Sequence, residues 1–270
     1  MENEIYKPEG YLKKYIKLIW FMEINVSAEN CICDKLVPGG SIEIIINIGE
    51  KLTIKGKKNR ENLTASGMVG GQKTTFSEFI PGSRGIISVI LQPESAFSVL
   101  GIPVNEISDL YVEPVDIWKE DGEVLVDQIS EAKSFKKRVQ ILERFLTERI
   151  KKNESGIDDR IKFGVDLISQ SGGNININYL SEKLCLSKRQ CERIFVKNIG
   201  LTPKEFSKIV RFQWLLFNKQ KNINISNTEL AYIAGYFDQA HFNNDFKNIT
   251  GLTPTEYFSL GEVFSDFYSF

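Results

Sequence analysis

Histidine is almost missing from this chain: one, His241, in 270 residues. A metal centre built from several imidazoles is therefore excluded, since nothing before position 241 could supply one. Cysteine is scarce too. Cys31, Cys33, Cys185 and Cys191 fit a reducing compartment better than a disulfide framework. Cys31 and Cys33 share a face of a strand, but no third ligand lies near them, so they read as buried or incidental. Cys185 and Cys191 fall at apolar positions of a repeat and read as core. No run of eighteen apolar residues occurs, so no membrane span is expected. The opening Met-Glu-Asn-Glu-Ile lacks the basic start and apolar core of a signal peptide, which predicts a cytoplasmic protein. Phosphate loops, nucleophile–base arrangements and nucleotide fingerprints are all missing, so neither catalysis nor a cofactor is expected.

What remains is an ordinary globular composition, 42% hydrophobic and 26% charged, long enough for one large or two ordinary domains. Residues 1–91 read as β. Lys17–Asn25 and Ser41–Ile48 are rich in Ile, Trp and Phe, the second preceded by a Pro38-Gly39-Gly40 turn and stopped by Gly49. Shorter strands are expected at Cys31–Val37, Ser66–Gly70, Thr74–Phe79 and Ile86–Leu91, with Lys51–Arg60 as a basic hairpin tip or loop. Such strands suggest a sandwich or barrel. After Gln92-Pro93, Glu94–Leu100 and Glu123–Ser130 look helical, and Pro103–Trp118 looks mixed and loop-like. Ser134–Lys151 is a longer helix with Val139, Leu142, Phe145, Leu146 and Ile150 on one face. That face either packs on the sheet or also pairs with a second chain. The polar stretch at 152–157 is the expected linker, and 261–270 a tail.

From Asp158 onward the pattern is helical and repeated. Gly200-Leu201-Thr202-Pro203 recurs as Gly251-Leu252-Thr253-Pro254, an offset of 51 residues. At that offset Ser187 answers Asp238, Phe195 answers Phe246 and Phe206 answers Tyr257, while Leu180 answers Leu230 one residue out of step. A fixed offset means one supersecondary unit built twice. Ser187 and Asp238 are N-caps, Gly200 and Gly251 are helix stops, and shorter helices precede them at Ile177–Leu184 and Thr228–Ala234. Each unit is a helix-turn-helix. Lys204–Gln220 between them reads as one continuous connecting helix.

The near-neutral net charge of −1 hides a division. Between Lys183 and Lys221 stand ten basic and two acidic residues. Between Asn222 and Phe258 stand one basic and four acidic ones. A basic stripe on a helix-turn-helix is the footprint of a nucleic-acid face.

The ordered set Leu186-Ser187-Lys188-Arg189-Gln190, Phe195, the first Gly-Leu-Thr-Pro, Arg211, Ala231, Ala234-Gly235-Tyr236, Asp238-Gln239, His241-Phe242, Phe246-Lys247 and the second Gly-Leu-Thr-Pro resembles the AraC/XylS family of bacterial transcription regulators. The resemblance covers about residues 158–258. Residues 1–151 are similar, through Pro38-Gly39-Gly40 and Leu91-Gln92-Pro93, to the cupin-like sensory domains of one branch of that family. The implied fold is α+β in two domains: a β-rich cupin-like barrel or sandwich with flanking helices, then an all-α double helix-turn-helix domain over 158–260. The implied function is sequence-specific DNA binding in successive major grooves under an N-terminal effector or dimerisation domain. Its partners would be double-stranded DNA, RNA polymerase, a small-molecule effector and a second copy of the chain. The alternative is a cupin-like small-molecule-binding protein or enzyme whose helical domain does not bind DNA. Two departures stand out. Tyr257 is followed by Phe258 where many relatives have Arg, and the second repeat is acidic.

A recognition helix enters the major groove by its N-terminal half. In the first unit Lys188, Arg189, Gln190, Arg193 and Lys197 lie outside the apolar set. Gln190 and Arg193, followed by Arg189, are the expected base readers, because Gln pairs with adenine and Arg with guanine bidentately. Lys188 and Lys197 suit phosphate. In the second unit the outward set is Gln239, His241, Asn243, Asn244 and Lys247, so the first unit is expected to carry most of the electrostatic affinity. For Arg211 a structural or phosphate role and a pairing with Glu205 stand as equal readings.

Overall fold

The computed structural model describes residues 3–23, 32–49, 51–55, 63–71, 76–80, 83–153 and 157–259. Its first part is built on two antiparallel sheets. The larger has six strands in the order β1 (Asn3–Tyr6), β2 (Ile16–Glu23), β9 (Ser83–Leu91), β4 (Glu43–Gly49), β7 (Gly67–Gly71) and β10 (Leu110–Val112). The smaller runs β3 (Ile32–Leu36), β8 (Phe76–Ile80), β5 (Leu52–Lys55) and β6 (Leu63–Ala65). β4 is central, pairing β9 at Ile44↔Val89 and β7 at Ile44↔Val69. Successive side chains of a strand point to opposite faces. Ile44 and Ile46 accordingly join the main core with the helices, and Ile45 between them points the other way yet is also buried. A strand covered on both faces reads as a continuous apolar run, as Ile44–Ile46 does.

Helices close one face of that sheet. α1 (Ala96–Leu100), α2 (Pro114–Trp118), α3 (Glu120–Glu131) and α4 (Phe135–Lys152) follow β9 in chain order. Ser134 caps α4 by accepting from the Lys137 N–H. Val139, Leu142, Phe145, Leu146 and Ile150 of α4 are buried in the same core as Ile44 and Val89, and Trp118 meets Phe145 edge-on at 5.1 Å. This face packs on the chain's own sheet and helices, the first of the two readings.

The segment expected to be loop-like, Pro103–Trp118, is more ordered than its composition suggests. It holds a 3-10 turn at Val104–Ile107, β10 and α2. The signal for α2 is local. Glu113 precedes Pro114 at the first helical position and exchanges capping bonds with Asp116. In the expected basic loop, Leu52–Lys55 is instead strand β5, because it pairs with both β6 and β8. Residues 56–62, Cys31, half of the expected linker (154–156) and the 261–270 tail lie outside the described residues. The side chain of Cys33 does too.

The second part is all helix: α5 (Asp159–Gln170), α6 (Ile177–Lys183), α7 (Lys188–Ile199), α8 (Pro203–Lys221), α9 (Asn227–Ile233), α10 (Gln239–Thr250) and α11 (Pro254–Ser259). Gly200 and Gly251 end α7 and α10 in the left-handed region, at φ +81° and +80°, a conformation that glycine enters at little cost. α8 serves two cores. Phe206, Ile209 and Val210 join Leu180, Cys191 and Phe195; Phe212, Leu215 and Leu216 join Leu230, Phe242 and Phe246. Helical spacing puts those two sets on successive turns of one rod.

The two parts touch through α7 and α8. Gly40 faces the Phe206 ring, Val37 is buried with Phe212 and Leu215, and the Ser108 hydroxyl donates to the Gly200 carbonyl. The Pro38-Gly39-Gly40 turn is thus also a docking point.

Candidate nucleic-acid interface

Each unit presents a capped helix on a short scaffold helix. In the first, the Ser187 hydroxyl accepts from the Gln190 N–H at 3.3 Å, and Gln190 Oε1 accepts from the Ser187 N–H at 2.9 Å. This reciprocal capping box fixes the start of α7. Cys191, Phe195 and Ile199 turn inward against Leu180 and Leu184. Burial raises the Cys191 thiol pKa; Cys185, also expected in the core, is instead exposed at the turn before α7. In the second unit Asp238 Oδ1 accepts from the His241 N–H at 2.7 Å, while Phe242, Phe246 and Ile249 turn inward.

Helical periodicity then leaves the opposite face open. Lys188, Arg189, Gln190 and Arg193 are exposed on the N-terminal half of α7, and no described carboxylate pairs with Lys188, Arg189 or Arg193. Two members of the expected set are engaged elsewhere. The Gln190 side-chain oxygen is held in the capping box, and the Lys197 ammonium sits 4.5 Å from the centroid of the Phe97 ring in the N-terminal part. In α10, Gln239, His241, Asn244 and Lys247 are exposed and Asn243 is half-buried. The His241 ring meets Tyr236 edge-on at 5.2 Å, with its Nε2 3.7 Å from Asp245 Oδ2.

Contacts of the connecting helix hold the two units together. Arg211 does not pair with Glu205, which instead accepts from the Thr202 N–H at 2.8 Å in its own capping box. Arg211 Nη2 donates to the Gly173 carbonyl at 3.0 Å, and its guanidinium lies 5.1 Å from the Tyr236 ring centroid. Asp245 is buried and accepts from the Lys208 ammonium at 2.9 Å. Burial, with the Asp245 carboxylate as a second cause, pushes the Tyr236 hydroxyl pKa up to about 12 against the opposing pull of Arg211. The repeat could have flagged this site, because its offset sets Asp245 opposite Ile194.

A cavity of about 860 Å³ opens between the two parts, lined by Lys13, Lys14, Lys17, Glu94, Lys162 and Phe206 among others. Burial raises the Glu94 pKa, although Lys162 Nζ stands 3.6 Å away. Burial, with Lys7 adding repulsion, lowers that of Lys17.

A two-domain architecture with this sheet order and a paired helix-turn-helix defines a class, and comparison with known proteins agrees. Residues 180–259 match the family described as Helix-turn-helix domain, and residues 4–113 match a Domain of unknown function (DUF6597). The first of these matches falls on the paired helix-turn-helix units. The chain is 33% identical over 92 residues to the Msm operon regulatory protein of Streptococcus mutans, covering 33% of this chain and 32% of that protein. It is 31% identical over 96 residues to an uncharacterised HTH-type transcriptional regulator of Haemophilus influenzae, covering 34% and 31%. These matches span about a third of the relatives' length. A solved structure of ToxT from Vibrio cholerae superposes with a TM-score of 0.50 at 13% identity, over 96% of this chain and 98% of that one. At that identity the likeness is one of fold.

Proposed function

We propose that this chain is a sequence-specific DNA-binding transcriptional regulator that sets α7 and α10 in successive major grooves. The observation that carries the reading is the exposed start of α7, where Lys188, Arg189 and Arg193 stand clear of described acidic partners. Arg189 and Arg193 are the base readers in this assignment and Lys188 a phosphate contact. Gln190 reads bases only through whatever its cap leaves free, and Lys197 reaches phosphate only by leaving Phe97. Gln239, His241, Asn243, Asn244 and Lys247 form the weaker second contact. α8 has 19 residues and spans roughly 28 Å at ~1.5 Å per residue, compatible with grooves ~34 Å apart when the helices stand off its ends.

The N-terminal part acts as the effector or dimerisation domain, and the cleft against α5 and α8 gives a small-molecule effector a place where binding would alter the contact between the parts. RNA polymerase is the protein partner this reading implies. No helix among the described residues is long and apolar enough to cross a membrane. In this reading the chain is a cytoplasmic regulator and not an enzyme.

The test is a titration of duplex DNA from upstream of the chain's own gene across a salt series. Counterion release makes log K fall with log salt at a slope of about −0.9 per phosphate neutralised. A slope implying roughly four to eight contacts, with weaker binding to scrambled DNA, is expected. Flat, weak binding to every sequence would favour a small-molecule-binding protein with a silent helical domain.

A further inference from the structure

Asp245 is the one charged residue on the buried face of α10, whose other members are Phe242, Phe246, Ile249 and Thr250. The unit does not need a carboxylate there, because the repeat sets Ile194 in the same place in α7, half-buried against the first core. A buried carboxylate is costly unless it is paired. Its nearest partner comes from the connecting helix: Lys208 Nζ at 2.9 Å, with His241 of α10 itself at 3.7 Å. Three residues on, Arg211 of α8 reaches both units, donating to the Gly173 carbonyl beyond α5 and lying over Tyr236. The approach at Gly173 is close, since a Cβ there would stand 2.2 Å from the Ser207 carbonyl oxygen.

We propose that the Lys208–Asp245 pair is a positioning device that fixes the angle of the second recognition helix against the connector, and so sets the half-site spacing the chain accepts on DNA. Its second half rests on the DNA-binding reading above. The apolar contact between α8 and α10, such as Phe212 against Phe246 at 5.3 Å, holds the helices together, but such packing by itself leaves a scatter of about 15–20° in the crossing angle. An ion pair with one buried member tolerates little displacement, and register is the best-attested use of such pairs. α10 brings little charge to DNA, so its contribution depends on where it stands.

The first experiment measures amide residual dipolar couplings in the weakly aligned full-length chain. In the native protein the couplings of α6–α7 and α9–α10 should fit one alignment tensor. In Asp245→Asn, and in Lys208→Met, at a side chain that is 43% exposed, each unit should fit internally but require its own tensor. The double variant should match the singles. Variants that keep one tensor with the native angle would overturn the proposal.

The second readout uses duplexes selected from a random pool by the native chain. The native chain should prefer the selected spacing over one lengthened by a base pair by about tenfold or more. D245N should narrow this to within about threefold while keeping affinity for the first half-site. Equal losses at both spacings would mean a merely structural role and would overturn it. A native chain that selects no sequence would defeat the DNA-binding reading, while the couplings would still decide the angle.

Discussion

The side-chain amide of Gln213 donates to the Pro38 carbonyl oxygen at 2.6 Å, across 175 positions of sequence. Gln213 is 3% exposed and lies on the connecting helix α8, whereas Pro38 opens the turn before the central strand of the sheet. A buried carbonyl deprived of its donor keeps its desolvation cost, about 1–3 kcal/mol. Gln213→Leu should therefore destabilise the chain by about that much, as read by urea unfolding. An unchanged midpoint would mean that water or another group satisfies Pro38.

Gly40 should tolerate no β-carbon. Its φ is +73°, and a Cβ there would stand 3.1 Å from the Phe206 ring. Both the left-handed backbone and the crowding against α8 oppose a side chain, so Gly40→Val should cost on the order of 1–3 kcal/mol. Lower melting temperature together with faster limited proteolysis between the two parts is the expected pair of observations. A variant that melts like the native chain would show that the turn can move away from α8.

Gln190 should matter before any DNA is present. Its side chain closes the capping box at Ser187, so Gln190→Ala should lower stability in DNA-free solution by roughly 0.5–1 kcal/mol, the lower part of the range for lost caps. If melting is untouched and only DNA affinity falls, base reading is its main role.

How legible these features were follows from their range in sequence. The caps, the glycine stops and the two units could be read because each depends on neighbours within a few residues, and an offset of 51 repeated them. β4 was visible because burial on both faces leaves a continuous apolar run. β1, β6 and β10 were not, since each has only three or four residues and is defined by its partner strand. The same reason hid the Lys208–Asp245 pair, whose members are 37 positions apart. Lys197 looked free on its own helix, and only the fold brings Phe97 beneath it.

Alkaline pH should loosen the junction of the two units through Tyr236. Its folded pKa is raised from 10.0 to about 12, so the unfolded chain loses this proton first as pH rises. Stability should then be intact below pH 10 and fall between 10 and 12, by at most ~1.4 kcal/mol per pH unit from this group. Tyr236→Phe should flatten that part of the stability profile, with the difference from the native chain appearing only above pH 10. A difference of equal size at pH 7 and pH 11 would refute the titration and point to the lost hydroxyl instead.

Arg193 and Asn244 face outward from the two recognition helices and should contribute unequally. Arg193 lies where ten basic residues outnumber two acidic ones, and Asn244 where four acidic residues outnumber a single lysine. Loss of a bidentate contact to guanine costs about 1–3 kcal/mol, so Arg193→Ala should weaken specific binding by roughly tenfold or more and reduce discrimination at one base position. Asn244→Ala should cost less and leave the salt slope unchanged, because a neutral side chain releases no counterion. Titrations of both variants at two salt concentrations separate the two effects. Equal losses would mean that α10 reads bases as strongly as α7, and the asymmetry of charge would then govern encounter with DNA rather than the affinity of the final complex.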